Sequence, residues 1–87
     1  MEKSAVEKAN WRMVVQRLIK SEMTLKGLRY QELSEKLAEI GVQQTADNLR
    51  NKVNKGILGA DLLIQVMYVM DVKKVERERV KEIIKNL

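Results

Sequence analysis

Apolar residues recur along this chain every three or four positions, the spacing of a helix with one buried face. The first stripe predicts a helix over about residues 4–25 and consists of Trp11, Val14, Val15, Leu18 and Ile19. Trp11 is expected to hold this helix against the core, because a lone tryptophan more often serves packing than base stacking. The same spacing predicts four further helices, over about 30–40, 45–55, 60–70 and 74–86.

A sharp turn is predicted between the second and third helices. The stripe of the second helix is Leu33, Leu37 and Ile40. Gly41 follows where glycine commonly ends a helix. The third helix is expected to begin at Thr45, whose hydroxyl can cap its first turn, and to end at Gly56. The two helices therefore form a helix-turn-helix unit at about residues 28–59.

The third predicted helix has a narrow apolar face. Only Ala46, Leu49 and Val53 fall within its inward arc, so most of the helix is predicted to face solvent. The outward positions are Gln44, Asp47, Asn48, Asn51 and Lys55, with Arg50 and Lys52 on the shoulders. The exposed face is therefore rich in amides and bordered by cations.

The last two predicted helices differ in their apolar coverage. The fourth is apolar around nearly its whole circumference, which predicts a buried hub on which the first three helices pack. The fifth has one apolar side, formed by Val80, Ile83, Ile84 and Leu87. Two interpretations of that side stay open: it is the surface of a homodimer, or it closes the core over the fourth helix.

These elements predict one all-α domain over residues 1–87, a compact bundle of about five short helices. The gaps between helices are only a few residues long, and no repeat or linker divides the chain. There is no cysteine and no histidine, which removes the commonest metal ligands and the commonest catalytic base. We therefore expect no enzyme activity, cofactor or metal. The polar N-terminus and the absence of a long apolar run favour a cytoplasmic protein that does not enter membranes.

Charge is distributed unevenly along the chain. The net charge is +5, but the second helix has one lysine against three glutamates, whereas residues 41–59 have three cations against Asp47. Amide side chains can bond adenine, and Arg or Lys can bond guanine or phosphate. The candidates for reading base edges are Gln43, Gln44, Thr45, Asn48, Asn51 and Lys52. The candidates for phosphate contacts are Lys26, Arg29, Tyr30, Arg50 and Lys55.

Two of these positions have local explanations as well. Asn48 either contacts a base or satisfies nearby backbone groups, and Asp47 has the further role of complementing the positive end of the helix. The central outward position of Asn51 favours base contact there more than at Asn48.

The segment from Leu28 to Val72 resembles the helix-turn-helix core of Cro and lambda-repressor-like DNA-binding domains. A G-L-x-x-x-x-L-(A/S) opening and a helix that ends in a basic residue and glycine support this, namely Gly27, Leu28, Leu33, Ser34, Lys55 and Gly56. A closer resemblance is to a group of small uncharacterised bacterial helix-turn-helix proteins. It rests on Trp11, Tyr30, Glu32, Leu33, Ile40, Gly41, Val42, the run Asn48–Lys52 and Gly56.

The chain departs from the repressor pattern at several positions. The second helix is about one turn longer, and Asn54 stands where the repressors usually have an acidic residue. Leu49 and Val53 are spaced by four residues rather than three, and Tyr30 replaces a phosphate-binding glutamine. A tyrosine hydroxyl can still bond a phosphate.

The resemblance and the residue pattern together predict a sequence-specific double-stranded DNA-binding protein, a small transcriptional regulator whose third helix enters the major groove. One domain makes few base contacts, so we expect a homodimer on half-sites about one helical turn apart. The alternative is a protein-binding adaptor that keeps the helix-turn-helix fold, favoured by Asp47 and the acidic second helix. RNA binding ranks third, since exposed aromatic residues for base stacking are not expected.

Overall fold

A computed structural model describes residues 3–87, with side chains described from residue 5 onward. Within this range all regular secondary structure is helical, in six helices. They are α1 (Lys3–Lys8), α2 (Trp11–Lys26), α3 (Tyr30–Glu39), α4 (Ala46–Lys55), α5 (Ala60–Val69) and α6 (Arg77–Lys85). The predicted all-α fold class is confirmed, and α3 and α4 lie within one residue of their predicted bounds, 30–40 and 45–55.

The predicted first helix is two helices, α1 and α2, and the prediction of a continuous helix is wrong. Asn10 separates them in an extended conformation, and its Oδ1 accepts a 3.1 Å hydrogen bond from the amide of Arg12. This is the geometry of an N-cap, which starts a new helix. Apolar periodicity did not indicate the break because the stripe of α2 begins only at Trp11.

Trp11 does not hold α2 against the core, contrary to expectation. It lies in the first turn of α2 and is 51% exposed. The buried stripe of α2 starts one turn later, at Val14, and continues through Leu18 and Ile19. The aromatic residue of the first turn therefore stays in contact with solvent.

The core lies among α2, α3, α4 and the inner face of α5. Its most completely buried side chains are Ile19, Leu33, Leu37, Leu49, Val53, Val66 and Met70. Helix α4 packs against both α2 and α3, while α5 packs mainly on α3. The pair of helices α3 and α4 is therefore supported by α2 and α5.

Helix α5 is not the central hub that its composition suggested. Leu62 and Val66 are buried, but Ile64 is 68% exposed and Tyr68 is 72% exposed on the opposite side. A ten-residue helix that packs mainly on one neighbour can bury only one face, whatever its sequence. Ile64 and Tyr68 therefore face solvent, while Leu63, Met67 and Val69 are half-buried against the core.

Helix α6 closes the core over α2 rather than over α5. The buried carboxylate of Glu22 in α2 forms a 2.8 Å ion pair with the guanidinium of Arg79 in α6. The same guanidinium donates a hydrogen bond to the hydroxyl of Ser21. Ile84 is only 6% exposed and belongs to the core, whereas Leu87 is exposed. Of the predicted dimer residues, Ile84 is thus unavailable to a second copy, and Val80 and Ile83 are half-buried.

Two glycines end helices in the left-handed conformation but in different surroundings. At Gly41 (φ +80°) the amide of Val42 donates to the carbonyl of Leu37 at 2.9 Å, and a methyl group would point into open space. At Gly56 (φ +65°) a Cβ would come within 2.7 Å of the carbonyl carbon of Arg12 and nearer still to its oxygen. Gly56 therefore permits the C-terminal end of α4 to meet the backbone of α2.

Candidate nucleic-acid interface

The orientation of α4 is fixed at its N-terminal end by two hydrogen bonds. The hydroxyl of Thr45 accepts the amide of Asn48 at 3.0 Å, as its predicted capping role requires. The hydroxyl of Ser34 in α3 donates to the carbonyl of Gln44 at 2.5 Å, which ties the turn to the preceding helix. With Leu49 and Val53 fully buried beneath it, α4 has one defined rotation about its axis.

That rotation gives α4 the polar outer face that periodicity predicted. Its exposed side chains include Asp47, Asn48, Asn51, Asn54 and Lys55. Neither Asn48 nor Asn51 has a side-chain hydrogen bond within the described part of the chain. The role of Asn48 in satisfying local backbone groups is therefore not observed, and both amides are free to bond another molecule.

Two of the predicted base-reading side chains bond each other. The ammonium of Lys52 donates to the side-chain carbonyl of Gln44 at 3.3 Å, and both residues are half-buried. Gln43 beside them is exposed. Any base contact by Gln44 or Lys52 therefore requires this hydrogen bond to be exchanged, whereas Asn51 needs no such rearrangement.

A groove of about 840 Å³ lies where the C-terminal half of α2 meets the first turns of α3 and α4. Its walls include Lys20 from α2, Arg29 and Tyr30 from α3, and Asp47 and Arg50 from α4. The unpaired amides at the start of a helix favour anions, and here two helix starts converge with three cations. With three cations against the single carboxylate of Asp47, the groove is net positive, which favours an anion.

Tyr30 and Arg50 interact inside this groove. The guanidinium of Arg50 lies 5.3 Å from the centre of the Tyr30 ring and also pairs with the carboxylate of Asp47 at 2.5 Å. The Tyr30 hydroxyl is inaccessible to solvent and has no hydrogen-bond partner among the described residues. Burial raises the pKa of the Tyr30 hydroxyl above its ordinary value, although the charge of Arg50 opposes this rise. The hydroxyl therefore stays protonated near neutral pH and keeps an unused donor.

The other predicted phosphate contacts are exposed and flank α4. Arg29 caps α3, where its amide donates to the Glu32 carboxylate at 3.0 Å, and Lys26 ends α2 nearby. Lys55 lies at the opposite end of α4 from the groove. The predicted cations thus lie on both sides of the polar face rather than on one.

Residues 11–75 match a protein family described as a domain of unknown function, DUF6471. The chain belongs to this family. The matched region contains α2 to α5, and hence the whole of the groove and of α4, while α6 begins two residues beyond it. No curated protein and no solved structure shows significant similarity to the chain.

One of the three groove cations of this DUF6471 domain, Lys20, was not predicted from the sequence. Lys20 lies on the exposed side of α2, and the structure brings it beside Arg29 and Arg50. Helical periodicity shows that Lys20 points away from the core, but only the packing of α2 against α4 brings it to the groove. No signal in the sequence gives that packing.

Neither a metal-binding cluster nor a membrane-spanning helix is found in the described part of this DUF6471 protein. No group of Asp or Glu side chains suited to holding a metal ion occurs among the described residues. In the same part of the chain, none of the helices combines the length and apolar character needed to cross a membrane.

Proposed function

We propose that this protein binds double-stranded DNA in a sequence-specific manner and acts as a small transcriptional regulator. In this proposal α3 and α4 form a helix-turn-helix of the lambda-repressor type, and α4 enters the major groove. The observation that carries the proposal is the outer face of α4, where free amides of Asn48 and Asn51 project between flanking cations. The bacterial and cytoplasmic setting expected from the sequence is part of the same proposal.

Asn51 is the best-supported base-reading residue. It is exposed, lies opposite Leu49 and Val53 on α4, and has no competing hydrogen bond within the described chain. An asparagine amide can bond adenine bidentately in the major groove. Asn48, one turn earlier on a neighbouring line of the helix, is placed to contact an adjacent base pair.

Phosphate contacts are assigned to the cations around α4. Lys20, Lys26, Arg29 and Arg50 lie toward the start of the helix, and Lys55 lies at its end. The α4 axis spans about 15 Å, so these two groups are far enough apart to reach the phosphates on either side of a groove about 12 Å wide.

Lys55→Ala is expected to weaken binding to all duplexes alike, because a phosphate contact carries no sequence information. The slope of log affinity against log salt should become shallower by about one unit. Fluorescence anisotropy over a salt series measures both quantities. Lys85→Ala, which removes an exposed lysine of α6, is the matched control and should leave the slope unchanged. An unaltered slope for Lys55→Ala would remove this residue from the phosphate contacts.

Tyr30→Phe is expected to leave affinity within about twofold of the wild type, because the hydroxyl is covered and the ring that supports Arg50 is retained. Stability should stay the same or rise by about 1 kcal/mol, since a buried unpaired hydroxyl is removed. Tyr30→Leu is the comparison, and loss of the ring should lower affinity roughly two- to fivefold. A tenfold loss in Tyr30→Phe alone would instead assign the hydroxyl to a phosphate.

The direct test of the docking surface is an NMR titration of ¹⁵N-labelled protein with a mixed-sequence duplex at low salt. The expected result is amide shifts concentrated in residues 45–56 and at the start of α3. Major-groove docking by α4 would be contradicted if the amide shifts were confined to other helices. It would also be contradicted if no amide shifts occurred at protein concentrations near 0.1 mM.

The second candidate is a protein-binding adaptor. Asp47, whose side chain is 86% exposed, neutralises Arg50 within the proposed DNA face, and α3 adds acidic residues beside it. A basic protein partner would suit this arrangement.

RNA binding ranked third partly because no exposed aromatic residue was expected. That expectation is wrong for Trp11 and Tyr68, although neither lies on α4.

A further inference from the structure

The N-terminal end of α2 lies against the C-terminal end of α4. A Cβ added to Gly56 would lie 2.8 Å from the Cα of Arg12, so the two backbones are in contact at this point. One turn further along α2, the side-chain amide of Gln16 donates to the carbonyl of Asn54 at 2.9 Å. The first turn of α2 is therefore fixed beside the last turn of α4, which also contains Lys55.

Arg12 belongs to a row of polar residues on α2 that follows α4. Arg12, Gln16 and Lys20 are spaced by four residues, so they share one face of α2. Gln16 bonds Asn54 near the end of α4, and Lys20 lies in the groove near its start. Side chains of a helix lean toward its N-terminus. The side chain of Arg12 therefore extends past the C-terminal end of α4.

The guanidinium of Arg12 has no role in holding the fold together. It is exposed and makes no hydrogen bond or ion pair with any residue that the structure describes. By contrast, Arg17 on the same helix donates to the carbonyl of Asn86 at 2.8 Å. A cation in the first turn is disfavoured by the positive end of the helix, and the first turn of α2 has no acidic residue to offset it. An anionic ligand explains an arginine at this position better than stability does.

We infer that Arg12 contacts a DNA phosphate at the C-terminal end of α4, away from the groove cations. This inference rests on the proposed function, in which α4 lies in the major groove. Arg12 and Lys20 are separated by about 12 Å along the axis of α2. Phosphates of one strand follow each other every 3.4 Å or so along the duplex, that is, about 3.4 Å. The two cations of this row therefore contact different phosphates.

The contact by Arg12 also balances the proposed phosphate contacts between the two ends of α4. Lys20, Arg29 and Arg50 lie in the groove near the start of the helix, whereas Lys55 is the contact assigned to its end. Arg12 adds a second cation at that end. Its planar guanidinium can bond two oxygens of one phosphate, which a lysine ammonium cannot do in the same fixed geometry.

Fluorescence anisotropy with a labelled duplex over a salt series tests the inference through Arg12→Ala. Affinity at low salt should fall roughly three- to tenfold, and the slope of log affinity against log salt should become shallower by about one unit. Specific and scrambled duplexes should be affected alike, because a phosphate contact carries no sequence information. Arg77→Ala is the matched control, since it removes an exposed arginine from the first turn of α6. It should leave affinity and slope unchanged.

Thermal unfolding separates a phosphate contact from a structural role. The melting temperature of Arg12→Ala should equal or exceed that of the wild type, because a cation is removed from the positive end of α2. A melting temperature lowered by more than about 4 °C would overturn the inference, since a disturbed fold would then explain weaker binding. Arg12→Lys keeps the charge and should retain the salt slope of the wild type.

The same measurements distinguish failure of this inference from failure of the proposed function. An unchanged affinity and slope in Arg12→Ala would overturn the inference alone, provided that the wild type binds the duplex and Lys55→Ala has the shallower slope. A wild type that binds no duplex even at low salt would overturn both.

Discussion

Gly56→Ala is expected to destabilise the protein by roughly 3 kcal/mol. Gly56 has a φ of +65°, where a side chain costs about 1 to 2 kcal/mol on its own. In addition, the new Cβ would overlap the backbone carbonyl of Arg12, which is anchored in the first turn of α2. Relief requires α2 and α4 to move apart, and their contact supports the proposed interface. Urea unfolding followed by circular dichroism measures the loss.

Gly41→Ala is the matched control for this prediction. Gly41 also ends a helix at positive φ, but a methyl group there meets nothing within 4 Å. Only the conformational cost of about 1 to 2 kcal/mol should appear. Equal losses in the two variants would show that the approach of α4 to Arg12 is not a packing constraint.

Asn51→Ala is expected to weaken binding to the preferred duplex by about 1 to 3 kcal/mol, with little effect on unrelated duplexes. The amide lies at the centre of the outer face of α4 and makes no hydrogen bond within the described chain, so its removal should not disturb the fold. Competition binding with a specific and a scrambled duplex measures the two effects separately.

Asn54→Ala is the control of the same residue type on the same helix. Asn54 is an exposed amide one turn later, near the end of α4, and its backbone carbonyl accepts a 2.9 Å hydrogen bond from the Gln16 side chain. The backbone bond survives this substitution, and specific binding should change much less than in Asn51→Ala. Equal losses on specific and scrambled DNA in Asn51→Ala would show that this residue does not read bases.

Local signals predicted the central helices well. Gly41 and Gly56 end α3 and α4, and the hydroxyl of Thr45 starts α4, because these residues act on backbone groups only a few positions away. The outward face of α4 followed from the positions of Leu49 and Val53 alone. Features fixed by 3.6-residue geometry and capping are therefore available from a single sequence.

Features that depend on packing between distant segments were not predictable in the same way. Ile64 and Tyr68 are residue types that commonly lie in a core, but whether other helices bury them depends on how many helices pack around α5. Two side-chain contacts likewise depend on how α4 is placed after the turn from α3. They are the cation–π contact of Arg50 with the Tyr30 ring and the hydrogen bond between Lys52 and Gln44. Asn10 was a missed local signal, since asparagine is a favoured N-cap.

The central claim is that α4 reads a DNA sequence. Selection of bound duplexes from a randomised pool, repeated at low and at physiological salt, tests it most directly. The account predicts enrichment of a defined motif that persists at physiological salt, arranged as two inverted half-sites about one helical turn apart. Recovery of no motif, with weak binding that physiological salt abolishes, would contradict sequence-specific recognition and favour the protein-binding adaptor.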